Sequence, residues 1–122
     1  AAALRGMDGV TVYAARDAAE QVGVLSFNLD GREPEETADA LAQRGFALRG
    51  GLHCAPYAHR TAGTLPNGTV RLSVSAFTSA ADIAAFAHVL EHRVRLKAAL
   101  HKFMENSCSF GCFFLRIILE YE

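Results

Sequence analysis

The chain has 122 residues, 51% of them hydrophobic and 20% charged, and its 12 Lys and Arg nearly balance 13 Asp and Glu. That composition excludes an intrinsically disordered chain, which needs low hydrophobicity and high net charge. It also argues against a nucleic-acid module, which carries a basic face. The length suits one hydrophobic core.

Three cysteines are too few for a disulfide scaffold, and their odd number leaves a thiol free in a monomer, which fits a reducing, cytoplasmic setting. The start, Ala1 to Asp8, lacks the basic and apolar regions of a signal peptide. No apolar run reaches the roughly 18 residues of a membrane span. The chain does not begin with Met and reads as part of something longer. All 22 alanines lie at or before Ala99, while the last residues are rich in Phe, Cys and Ile. Residues 1–100 therefore read as the domain proper and 101–122 as an atypical tail, expected from about Phe103 onward to be poorly packed or to form a helix that does not join the core.

In chain order, Val10 to Ala14 alternates and is rich in β-formers, predicting a short strand. Val22 to Leu29 is nearly continuous in apolar residues, predicting a strand buried on both faces. Pro34 opens a helix, with Glu35 and Glu36 in its first turn and Gly45 as its stop. Phe46 to Arg49 reads as a brief strand, and Gly50 to Gly68 as a long loop. Thr69 to Phe77 alternates cleanly, with Val70, Leu72 and Val74 on one side and Arg71 and Ser73 on the other. Ser79 and Asp82 form a capping-box signature. The helix they open aligns Ile83, Phe86, Ala87, Leu90 and Val94 and runs to about Met104. The expected class is α+β, a small, mostly antiparallel sheet with helices on one face.

Chemistry concentrates in Arg49-Gly50-Gly51-Leu52-His53-Cys54-Ala55-Pro56-Tyr57-Ala58-His59-Arg60. Positive neighbours around Cys54 favour its thiolate, the nucleophilic form. The glycines would let the loop carry the sulfur toward a partner group. The alternative is an ordinary loop cysteine beside solvated histidines. Arg71, on the polar side of its strand, suits bidentate binding of a carboxylate, or is a plain surface arginine. Neither His53, Cys54 and His59 nor His88 and His92 follow a zinc pattern, so no metal is expected. Gly63 and Gly68 do not make a phosphate loop.

Arg49-x-Gly51-x-His53-Cys54-Ala55, then Gly68-Thr69-Val70-Arg71-Leu72-Ser73, Phe77-Thr78 and Asp82-Ile83, resemble the C-terminal small domain of cysteine desulfurases. These are class V aminotransferase family enzymes that use pyridoxal phosphate. Val24-x-Ser26-Phe27-Asn28-Leu29 and Arg44-Gly45-Phe46 also match in order, so the resemblance runs from about Gly9 to His92. It implies the C-terminal domain of a fold-type I pyridoxal-phosphate enzyme, and removal of sulfur from L-cysteine to give L-alanine and an enzyme persulfide. Cys54 matches the sulfur-accepting cysteine, and His53 is a second catalytic candidate that tunes it. Arg71 matches the arginine that binds the substrate carboxylate, and Arg49 the arginine at the base of the loop. The resemblance further implies L-cysteine or a similar amino acid as substrate, a sulfur-acceptor protein, a preceding large domain and a homodimer.

One departure is plain: the family's Schiff-base lysine lies upstream of the cysteine loop, yet the first lysine here is Lys97. Two alternatives remain at this point. One is another class V aminotransferase or lyase activity, with Cys54 incidental. The other is a non-catalytic α+β partner-binding module.

Overall fold

A computed structural model describes residues 1–106 of the chain. The tail beyond them, residues 107–122, lies outside the described residues. The elements are α1 (Ala2–Arg5), β1 (Val10–Tyr13), β2 (Val24–Leu29), α2 (Pro34–Ala42), α3 (Pro56–Ala62), β3 (Val70–Ser73) and α4 (Ala80–Asn106), with a short 3-10 turn at Ala18–Glu20. The strands form one antiparallel sheet in the order β1-β2-β3. The expected α+β class is what the chain adopts.

Register explains which side chains face which way. Val12 pairs with Phe27, and Phe27 with Val70. Directly paired residues share a face, so Val10, Val12, Leu25, Phe27, Leu29, Val70 and Leu72 form the apolar side. Onto this side pack Leu4 of α1, Leu41 of α2, and Phe86 and Leu90 of α4. The ring of Phe86 meets Phe27 and Phe46 edge-on, with centroids 6.1 and 5.5 Å apart. Phe27, Val70 and Leu90 are fully buried.

The helices begin and end where local chemistry dictates. Pro34 is the first residue of α2, and Gly45, in the left-handed region, lets the Phe46 N–H return to Leu41 O. That return delivers Phe46 to the core. At the start of α4, Ser79 N–H donates to Asp82 Oδ2 at 2.9 Å, and Asp82 N–H to Ser79 Oγ at 3.1 Å, closing the capping box reciprocally. The Ser79 N–H and the Ser79 hydroxyl, which also donates to Asp82 Oδ2 at 2.8 Å, hold the Asp82 carboxyl below its ordinary pKa.

Five expectations need correction. β2 is buried on one face only, because Val24 is exposed and Ser26 and Asn28 are half-buried on the other. β3 stops at Ser73 rather than Phe77: β2 begins at Val24, so after the Val74 N–H bond to Gly23 O no partner strand remains. The 46–49 strand is reduced to a single bridge, Arg49 to Arg71. The long loop contains α3, which Pro56 opens and Gly63 closes in the left-handed conformation. The predicted stripe of α4 buries Phe86 and Leu90 but leaves Ile83 exposed. α4 itself continues past the composition break to Asn106. Among the described residues no helix is long and apolar enough to cross a membrane.

Candidate active site

The face of the sheet away from the core is polar, and the pairing aligns it in rows. Tyr13 is opposite Ser26, Ser26 opposite Arg71, and Arg71 opposite Arg49. The segment 49–51 adds a short fourth rung. Arg71 N–H donates to Arg49 O at 2.7 Å and Arg49 N–H to Arg71 O at 3.3 Å. Gly51 N–H donates to Thr69 O at 3.1 Å and Thr69 N–H to Gly51 O at 3.2 Å.

Gly50 is needed for close approach, and Gly51, with φ of 109°, for its backbone conformation. A Cβ on Gly50 would lie 2.5 Å from Pro34 O and 2.6 Å from the Glu35 backbone. The lack of a side chain at Gly50 thus seats the loop directly against the start of α2.

This rung puts the two arginines directly across from one another on one face. Like charges facing each other across a ladder are destabilising. No carboxylate among the described residues is within ion-pair distance of either guanidinium. Arg71 Nε is buried and lacks a hydrogen-bond partner, as do Thr69 Oγ1 and Asn28 Oδ1 in the neighbouring row. Buried polar atoms are nearly always paired; the Arg71 Nε–H seeks an acceptor, whereas Asn28 Oδ1 seeks a donor.

Cys54 lies just beyond the rung and its thiol is free and exposed. His53 is half-buried, and its Nε2 lies 3.0 Å from Thr69 O. A carbonyl can only accept, so Nε2 carries the hydrogen. Burial is the main cause that lowers the pKa of His53; the Thr69 bond acts in the opposite sense, and the charges of Arg71, Arg49 and His59 lower it further. His59, on α3, is buried and hydrogen-bonded through Nδ1 to Thr64 Oγ1 at 2.7 Å. Its ring centroid is 6.2 Å from that of His53.

The structure therefore gathers Arg49, His53, Cys54 and Arg71 in one region. His59 and Thr64, which pin α3 behind the loop, gave no sequence signal beyond their place near Cys54. Among the described residues no three His, Cys, Asp or Glu side chains form a metal-holding group.

A mostly antiparallel sheet with helices on one face, and a cysteine loop stitched to an arginine-bearing strand on the other, define a class of domain that known proteins share. The Aminotransferase class-V family model matches residues 1–86, and the chain belongs to that family. Its relatives narrow the likeness. It is 33% identical over 93 residues to the "probable cysteine desulfurase" of Pyrococcus abyssi, covering 74% of this chain and 22% of that one. It is 40% identical over 73 residues to the "probable cysteine desulfurase 1" of Mycobacterium leprae, covering 60% of this chain and 12% of that protein.

Among solved structures, it superposes on the apo cysteine desulfurase of Thermococcus onnurineus with a TM-score of 0.67 and 34% identity, over 70% of this chain and 21% of that one. It superposes on the Escherichia coli cysteine desulfurase CsdA with a TM-score of 0.65 and 25% identity, over 78% of this chain and 22% of that one. The chain thus spans about a fifth of the length of several such relatives.

Proposed function

We propose that this chain supplies the sulfur-accepting cysteine and the carboxylate-binding arginines of a cysteine desulfurase acting on L-cysteine. In the net reaction the Cys54 thiol gains one sulfur atom and becomes a persulfide, and L-cysteine loses it to become L-alanine. The observation that carries this reading is the Arg49–Arg71 pair, two cations facing each other without a carboxylate, beside the loop that presents Cys54. A substrate carboxylate would relieve their repulsion and take the guanidinium N–H donors in bidentate fashion. The persulfide then passes its sulfur to an acceptor protein in a reducing, cytoplasmic setting.

Pyridoxal phosphate is the family's cofactor, and the residues described here do not fit its Schiff base. Lys97 Nζ donates to Asp30 O and Gly31 O, at the turn after β2. Lys102 lies still further along α4. The cofactor's lysine and phosphate site belong on this reading to a preceding large domain, and a homodimer is formed through that domain.

The test uses the chain itself. Cys54 is alkylated with iodoacetate, which carries a carboxylate, and with neutral iodoacetamide, in a variant whose other two cysteines are serine. A charge-assisted hydrogen bond is worth roughly 1.5–3 kcal/mol, so Arg71→Gln should lower the iodoacetate rate about tenfold while sparing iodoacetamide. An unchanged rate ratio would overturn the carboxylate assignment.

A further inference from the structure

Cys54 occupies an unusual backbone conformation. Ala55 N–H donates to Leu52 O at 2.9 Å, closing a four-residue turn. Its two central residues, His53 and Cys54, have φ of 50° and 60°. Positive φ at both central positions is the mark of a mirror-image turn, which Asn-Gly or Gly-Gly ordinarily fills. Neither residue here is glycine, and left-handed backbone is strained for residues with a Cβ. Such strain persists only where the surroundings over-determine the conformation.

The surroundings identify the constraint. Thr69 O accepts two hydrogens, from Gly51 N–H on the N-terminal side of the turn and from His53 Nε2–H within it. Both lone pairs of that carbonyl are thereby used. Thr69 immediately precedes β3, two residues before Arg71. One carbonyl thus ties the cysteine turn to the strand carrying the guanidinium.

We propose that His53 is a positioning residue: its Nε2–H, donated to Thr69 O, locks the mirror-image turn and fixes the Cys54 sulfur relative to Arg71. This rests on the desulfurase reading of the site, in which sulfur and carboxylate belong to one substrate. The imidazole acts as a strut and exchanges no proton with substrate. The lowered pKa of His53 is compatible with this, since a neutral ring with hydrogen on Nε2 still donates.

Three replacements separate the strut from the strain. His53→Gln keeps a donor at a reach similar to Nε2. His53→Asn tolerates positive φ but falls short of Thr69 O. His53→Leu removes the donor. The readouts are the iodoacetate-to-iodoacetamide rate ratio at Cys54 and amide hydrogen exchange at Ala55 and Gly51. The expected result is a near-normal ratio and slow exchange for Gln. For Asn and Leu the ratio should fall about tenfold, to the Arg71→Gln level, with faster exchange at both amides. Normal exchange in all three variants would overturn the proposal, and so would loss of the ratio in all three, because the imidazole itself would then be required. If Arg71→Gln leaves the ratio unchanged while exchange follows the expected order, the carboxylate reading fails and the strut stands.

Discussion

Gly68→Ala offers a sharp test of how the cysteine loop is held. Gly68 has φ of 81°, and a Cβ there would lie 2.2 Å from Gly51 O and 2.3 Å from its carbonyl carbon. Two costs follow. Left-handed backbone costs a residue with a Cβ roughly 1–2 kcal/mol. Overlap with backbone, which cannot rotate away as a side chain can, adds about 1–3 kcal/mol. Together these predict a loss of about 2–5 kcal/mol.

Gly63→Ala is the matched control. Gly63 has a similar φ of 69°, but nothing lies within 4 Å of its added Cβ. It should lose only the conformational part, about 1–2 kcal/mol. Urea unfolding of both variants reads the difference, with the slope of the transition unchanged if the denatured states match. The Thr69 amide, which donates to Gly51 O, should exchange faster in Gly68→Ala and not in Gly63→Ala. Equal losses in the two variants would refute the close packing of Gly68 on Gly51.

Two further outcomes follow from the core and the site. Phe86→Ala, at a residue 2% exposed, should cost about 3–5 kcal/mol through lost burial and the cavity left behind, whereas Phe77→Ala, at a residue 96% exposed, should change stability by about 0.5 kcal/mol or less; chemical denaturation checks both. The His53 ring should titrate, by nuclear magnetic resonance, below the ordinary histidine value of 6.5, chiefly because it is partly buried. The unfolded chain then binds the proton at higher pH than the folded one, so this contribution is complete above 6.5 and stability is lost as pH falls from there through the folded value. A midpoint at or above 6.5 would contradict the assignment.

Features set by local chemistry were legible in the sequence. Pro34, Gly45 and the Ser79–Asp82 pair each act through neighbours within a few residues, and each bounds its helix as expected. The alternation at Val70 to Ser73 likewise put Arg71 opposite the core face. What escaped depends on long-range partners or lacks a periodic signal. Alternation continues through residues 74–77, but β2 offers no pairing there, so the strand ends early. α3 buries His59 and exposes Tyr57, Ala58 and Arg60, leaving no apolar stripe; its only local marks are Pro56 and Gly63. The Arg49–Arg71 pairing joins segments 22 residues apart and depends on the Gly50 and Gly68 contacts. The mirror-image turn has no sequence signature, because His and Cys stand where glycine or asparagine would announce it.

The two faces of the sheet follow opposite rules. On the helix-covered face, burial, pattern and packing agree: Phe27, Val70, Leu41 and Leu90 fill one core. On the other face three unfavourable features fall close together in the chain and the ladder: facing guanidiniums, buried polar atoms without partners and a strained turn. Stability alone would favour other residues here, such as glycine at positions 53 and 54 or a carboxylate opposite Arg71. Glycine at position 54 would also remove the thiol, and a carboxylate opposite Arg71 would occupy the place that the proposed function gives to the substrate carboxylate. Departures from local consistency are expected where function requires them. Here all three lie on or beside the Arg49–Arg71 rung, and the His53 bond to Thr69 O joins the strained turn to the strand that carries Arg71.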